Sequence, residues 1–199
     1  MDSNSKLESI SYKPLNTMQV TTGKAKGRRL KAVPGDTTRP ITDKAKQALF
    51  NILQDDVADT VWLDLFAGTG AVGIEALSRG AKQVTFIDRA RIAANIIAEN
   101  LRATQLEASG RVLNTDAFVY LAGTVTTRYN FIYVAPPQYH SLWSGALLKI
   151  DQQPNWLAEN GEVIVQIDPR EFDTLALDNL ELTEQRKYGR TLLCFYGRK

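Results

Sequence analysis

The segment Val61–Ala76, V-W-L-D-L-F-A-G-T-G-A-V-G-I-E-A, limits the possible folds more than any other part of the chain. Val61 to Phe66 is an apolar run broken only by Asp64, the pattern of a strand buried on both faces of a parallel sheet. Gly68, Gly70 and Gly73 follow, and then Val72, Ile74, Ala76 and Leu77 give a helical pattern. This order of strand, turn and helix puts the glycines at the carboxyl end of a strand, where open α/β sheets bind ligands. Gly68 and Gly70 can adopt positive φ and admit a ligand close to the backbone. The helix start then offers free N–H groups.

Gly68, Gly70 and Gly73 also fit the dinucleotide spacing G-x-G-x-x-G, so the glycines alone leave an NAD-type domain open. Two acids say more. Asp64 sits near the strand end, where it can meet a cationic group, whereas a pyrophosphate disfavours a neighbouring carboxylate. Asp88 ends the next apolar run, Val84–Asp88, and can accept both hydroxyls of a ribose. D-L-F-A-G-T-G followed by F-I-D resembles motif I and the acidic end of strand two in class I S-adenosylmethionine-dependent methyltransferases. The resemblance implies an α/β, Rossmann-like fold: a mostly parallel seven-stranded sheet with helices on both faces, and here an N-terminal β-hairpin extension. It implies S-adenosyl-L-methionine as cofactor, bound by Asp64, Phe66, Gly68, Gly70, Asp88, Asp116 and Ala117.

Charge is unevenly distributed. The 199 residues carry a net charge of +2. Within residues 18–49 lie Lys24, Lys26, Arg28, Arg29, Lys31, Arg39, Lys44 and Lys46 against Asp36 and Asp43, a local +6 that leaves −4 on the remainder. Such asymmetry suggests an anionic partner, phosphate backbone above all. A solvated hairpin is the plainer alternative. Two short β-like runs flank Lys24–Gly27, which predicts the hairpin. Thr42 is a candidate N-cap for an amphipathic helix over about 43–54. The division expected is a loose tail over 1–17, a basic hairpin and loop over 18–41, and a methyltransferase domain over 42–199.

This region narrows the resemblance. G-x-x-x-G-R-x-L (Gly23–Leu30), T-x-R-P-x-T-D (Thr37–Asp43) and the helical L-F-N (Leu49–Asn51) are similar to bacterial 16S ribosomal RNA guanine-N2 methyltransferases. The resemblance covers about residues 18–199. It implies that Lys24, Lys26, Arg28, Arg29 and Arg39 contact RNA, and that ribosomal RNA or the small ribosomal subunit is the partner.

Further along, residues 90–104 have helical spacing and Arg111–Asn114 is a short strand. Asp116 has two open readings: an adenine contact, implied by the resemblance together with the Ala117 N–H, or the cap of a helix to about Ala122. Tyr129–Val134 is the fourth strand and leads into Ala135-Pro136-Pro137-Gln138-Tyr139. Methyltransferases of exocyclic amines carry Asp or Asn, Pro, Pro and an aromatic residue here. The acid and a proline carbonyl accept the amine hydrogens and aim its lone pair, while the ring stacks on the base. The resemblance implies catalytic positions at Ala135, Pro136, Pro137 and Tyr139. Ala135 departs from the pattern, because it has no side-chain acceptor, and the aromatic comes one residue late. Gln138 is one possible substitute, and His140, the only histidine, another possible base contact.

A helix is expected after the loop, then a fifth strand entered through the Asn160-Gly161 turn. Two antiparallel strands, about Leu180–Lys187 and Thr191–Tyr196, close the sheet. Cys194 is the only cysteine, which excludes an intramolecular disulfide and a cysteine-rich zinc site. No metal is expected, and no membrane-length apolar segment or signal peptide is visible. A cytoplasmic monomer is the default. Two other readings stay open: a family member that binds cofactor or RNA but methylates weakly, and a methyltransferase of small molecules.

Overall fold

The computed structural model describes residues 18–34, 41–138 and 140–199. The expected tail over 1–17, Arg39 and Tyr139 lie outside these. The described elements are α1 (Asp43–Leu53), β1 (Val61–Asp64), α2 (Ala71–Ser78), β2 (Gln83–Asp88), α3 (Arg91–Thr104), β3 (Gly110–Asn114), α4 (Ala117–Leu121), β4 (Tyr129–Val134), α5 (Leu142–Gln152), β5 (Leu157–Ile167), β6 (Leu180–Tyr188) and β7 (Thr191–Arg198). The seven strands form one sheet in the order β3-β2-β1-β4-β5-β7-β6. β1 to β5 run parallel, and β7 is antiparallel to both β5 and β6.

Alternation along each strand divides the core in two. Trp62, Val84, Phe86, Phe131, Ile164 and Phe195 face one side, packed with α1, α2 and α3. Leu63, Ile87, Ile132, Val134, Val165 and Cys194 face the other, packed with α4 and α5. Trp62 is central to the first layer, with its ring centroid 4.7 Å from Phe131 and 5.9 Å from Phe50 of α1. Thr42 caps α1 as expected, its side chain accepting from Ala45 N.

One expectation needs correction. The Asn160-Gly161 pair does not turn into β5; the strand already begins at Leu157. The register against β4 slips between Tyr129–Leu157 and Phe131–Glu162, so the extra residues bulge within the strand. The expected hairpin is present over 18–30, with one antiparallel bridge, Gln19 to Arg29, and backbone bonds Val20 N to Arg28 O (3.0 Å), Gly27 N to Val20 O (2.8 Å) and Leu30 N to Met18 O (2.8 Å). Its polar groups also bond to the domain behind it.

That attachment centres on Glu75 of α2, which is fully buried. Its carboxylate accepts from Thr21 N (2.8 Å), the Thr21 hydroxyl (2.7 Å), Thr22 N (3.0 Å) and Arg79 Nε (3.0 Å). Lys46 of α1, also buried, places Nζ 3.3 Å from the same carboxylate and donates to Gln19 O at 2.6 Å. Burial opposes charge on Glu75, but the Thr21 bonds, Lys46 and Arg79 outweigh it and hold its pKa below the usual value. At the end of α2, Ser78 O accepts from Lys24 N at 2.8 Å. A Cβ on Gly23 would stand 1.8 Å from that oxygen, so no other residue fits there without displacement.

Removing one member of a buried ion pair strands the other, at a cost of about 3–5 kcal/mol. Glu75→Ala is therefore expected to destabilise the protein by about that much in urea unfolding. A loss below about 1 kcal/mol, as for an exposed pair, would contradict the role given to Glu75.

Candidate active site

The carboxyl ends of β1, β2 and β4 open into a cavity of about 310 Å³. Its walls include the turn Leu65–Thr69, the start of α2, Asp88 to Ala90, Asp116 to Phe118 and the Ala135–Gln138 loop. Asp64, Tyr133 and Gln166 also line it, and Val33 and Ile41 add to its rim from the N-terminal segment.

The glycine turn opens onto the cavity. Gly68 and Gly70 have φ of +53° and +76°, the left-handed region that L side chains avoid. A Cβ on Gly68 would meet nothing within 4 Å, so its surroundings are open space, and a side chain there would project into it. Gly73 serves packing instead: a Cβ would lie 2.3 Å from the Phe86 ring.

Three carboxylates surround this turn. Asp88 accepts Gly68 N through Oδ2 (2.9 Å) and Ala90 N through Oδ1 (2.8 Å). Each carboxylate oxygen accepts more than one bond, so Asp88 keeps capacity toward the cavity. Asp116 caps α4, Oδ1 accepting from Phe118 N (2.8 Å) and Val119 N (3.3 Å), while Oδ2 has no partner among the described residues. Of the two readings of Asp116, the cap is thus present and an acceptor remains. Asp64 is 2% exposed and takes one hydrogen bond among the described residues, Gly73 N to Oδ2 at 3.3 Å. Burial pushes its pKa up to about 7; the Gly73 bond opposes this and the charge of Asp88 adds to it. An under-bonded buried carboxylate fits a ligand that brings a cation.

Sequence reasoning missed Tyr133, Gln166 and Asn100. The Tyr133 hydroxyl donates to Gln166 Oε1. Asn100, 1% exposed on α3, accepts Lys31 N at 2.8 Å and donates to Thr69 O at 2.9 Å, tying the N-terminal segment to the glycine turn. The available signal was polarity where a buried strand or helix face calls for apolar residues.

The basic residues are spread widely. Gly80 O accepts from Asp59 N, so α2 ends beside the start of β1, at the edge opposite the cavity. The loop tip at Gly23–Ala25 bonds to Ser78 at that same far end. Arg28 donates to Ala103 O (2.6 Å) and Gln105 Oε1 (2.9 Å) at the end of α3. Lys31 pairs with Glu99 at 2.5 Å, and Lys46 is internal. Arg28, Lys31 and Lys46 are therefore engaged within the protein. Lys24, Lys26 and Arg29 are exposed. His140 is exposed, and among the described residues no helix is long and apolar enough to cross a membrane and no cluster suits a metal.

Residues 18–197 match the family described as Conserved hypothetical protein 95. The chain belongs to this family. Within and around it, the chain is 35% identical over 184 residues to a Bacillus subtilis protein named "Putative rRNA methyltransferase YlbH", covering 92% of this chain and all of that one. It is 30% identical to ribosomal RNA small subunit methyltransferase D of Escherichia coli, covering 92% and 90% of the two chains. The solved Escherichia coli structure described as "Putative methyltransferase yhhF" superposes with a TM-score of 0.79 at 32% identity, over 92% of this chain and 99% of that one. The fold is that of the class I methyltransferases, and S-adenosyl-L-methionine is the cofactor of that class. The cavity of this family member fits it: carboxylates for hydroxyls and a cation, and open space at Gly68.

The raised pKa of Asp64 has a consequence for stability. The folded state holds that proton more tightly than the unfolded chain, so Asp64 makes stability fall as pH rises from about 4 to about 7. Asp64→Asn should remove this component. Urea unfolding of both proteins across that window checks it; parallel stability curves would contradict the assignment.

Proposed function

We propose that the protein transfers a methyl group from S-adenosyl-L-methionine to the exocyclic N2 amine of a guanine in small-subunit (16S) ribosomal RNA. The observation that carries the reading is one cavity shared by Asp64, Asp88 and Asp116 with the Pro136-Pro137 turn. In this reading Asp88 takes the ribose hydroxyls, Asp116 and Ala117 the adenine, and Asp64 the cationic amine of the methionine portion. Phe66 stands beside them, its ring 6.4 Å from that of Phe118. The names of the curated relatives support ribosomal RNA as substrate.

When bound, the cofactor would supply an electrophilic methyl on a sulfonium, to be taken up by the amine nitrogen with sulfur as leaving group and loss of one N–H proton to solvent. The chain's part is to hold the amine. Its lone pair is delocalised into the ring, and carbonyl acceptors at Ala135 and Pro136 can draw the N–H groups so that the lone pair faces the methyl. Tyr139 is assigned the stacking role from sequence. For RNA, Lys24, Lys26, Arg29 and Arg39 are proposed phosphate contacts. Arg28 is a weaker candidate because two of its nitrogens already bond to the end of α3. Contacts at the far edge require a partner that extends around the protein, as a ribosomal subunit does. The working form is read as a cytoplasmic monomer.

Asp88→Ala should weaken cofactor binding about tenfold or more in calorimetry, since a hydrogen bond to a charged group contributes roughly 1.5–3 kcal/mol. Unchanged affinity would contradict its place at the ribose. Replacing Lys24, Lys26 and Arg29 together with Ala should flatten the dependence of RNA affinity on salt, through lost counterion release. An unaltered slope would remove the hairpin from the RNA surface. Small-subunit particles treated with protein and cofactor should yield N2-methylguanosine on nucleoside mass spectrometry. Methylation of another base or position, or of no RNA at all, would overturn the proposed reaction.

A further inference from the structure

The loss of an acid at position 135 leaves the amine without a side-chain acceptor on the loop. The sheet supplies one beside it. β4 and β5 pair in parallel with Val134 opposite Val165, so Ala135 and Gln166 follow at the same level on adjacent strands. Neighbouring strands lie about 4.8 Å apart. Alternation puts Ala135 on the face of Phe131 and Tyr133, and Gln166 on that of Ile164, which is the same side of the sheet. Both residues line the cavity.

Gln166 is half-buried and its amide is fixed. The Tyr133 hydroxyl donates to Oε1 and holds the amide at that end. Tyr133 sits opposite Asp64 in the β1–β4 register, on the cavity floor. Oε1 has a second lone pair, and Nε2 has two hydrogens with no acceptor among the described residues. An acceptor beside a donor is the complement of one edge of guanine, where the N2 amine adjoins the N3 acceptor.

We infer that Gln166, oriented by Tyr133, holds the guanine N2/N3 edge, with Oε1 accepting an N2 hydrogen and Nε2 donating to N3, in place of the side chain missing at Ala135. This rests on the guanine-N2 reading above and names the residue that reads the base. Gln166 positions the amine and takes no proton, since an amide oxygen is too weak a base. Tyr133 is a positioning residue that acts through Gln166. The difference from Gln138, the other amide on the cavity wall, is that a second side chain holds Gln166 in place.

The test is single-turnover methylation of small-subunit particles, with cofactor affinity measured in parallel by calorimetry. Gln166→Ala should lower the rate about 10²-fold, as for removal of one preorganised partner, with cofactor affinity within twofold of the natural protein. Tyr133→Phe should lower the rate by less. Adding Ala135→Asp to Gln166→Ala should recover at least tenfold, because the acid restores an acceptor at the neighbouring position. That recovery separates amine positioning from a structural role, which an acid at 135 cannot repair. Three results would overturn the inference: a natural rate in Gln166→Ala, a parallel fall of cofactor affinity and rate, or no recovery in the double variant. A large loss in Gln138→Ala with none in Gln166→Ala would transfer the role to the loop. If the natural protein gives no product while binding cofactor, the guanine-N2 reading itself fails, and this inference with it.

Discussion

A parallel sheet covered on both faces has no place for polar side chains except at the ends of its strands. The interior strands here obey that constraint closely. Trp62, Val84, Phe86, Phe131 and Ile164 fill the layer under α1, α2 and α3. On β1 and β2 the same face turns polar at the carboxyl edge, with Asp64 and Asp88 after those apolar residues, and Tyr133 on β4 and Gln166 on β5 join them there. A polar group in such a position needs a partner, from the protein or from a ligand. Tyr133 and Gln166 satisfy each other in part, Asp88 is bonded by the glycine turn, and Asp64 is left with one backbone N–H. The cavity is where these demands converge, and a cofactor with hydroxyls and a cationic amine answers them.

The N-terminal segment extends the domain rather than standing apart from it. Glu75 draws Thr21, Thr22, Lys46 and Arg79 to one buried carboxylate, and Asn100 joins Lys31 to the glycine turn through Thr69. The segment therefore descends along α2, turns at Ser78 and returns to bring Val33 to the cavity rim. The glycine turn and the N-terminal segment are thus fastened to the same helices. This arrangement also engages Arg28, Lys31 and Lys46, while Lys24, Lys26, Arg29 and Lys44 are exposed. Lys46 neutralises a buried acid, and Arg28 satisfies a carbonyl at the end of α3, where a helix favours positive charge.

The elements were legible in the sequence wherever a regular period met a marked terminus. β4 spans Tyr129–Val134 as its apolar run predicts, and α1 starts after Thr42 because that hydroxyl caps it. The Asp64, Gly68, Gly70 and Asp88 constellation was legible because its spacing follows from strand, turn and strand. The β5 bulge was not, since Asn-Gly is ordinarily a turn signal and only the pairing with β4 makes it a slip in register. Likewise, charge counts along the chain cannot separate Lys24, which faces solvent, from Lys46, which faces Glu75 across a distance of 29 residues in sequence. Tyr133 and Gln166 come together only through sheet register, so no local motif marks them.

The central claim is that the carboxyl-edge carboxylates form a site for the cofactor. A crystal structure of the protein with S-adenosylhomocysteine tests it most directly. The account places both ribose hydroxyls within hydrogen-bond distance of Asp88, the adenine beside Asp116 and Ala117, and the amino group of the homocysteine portion toward Asp64. A nucleoside bound elsewhere, or bound in this cavity with Asp88 and Asp64 both out of contact, would contradict it.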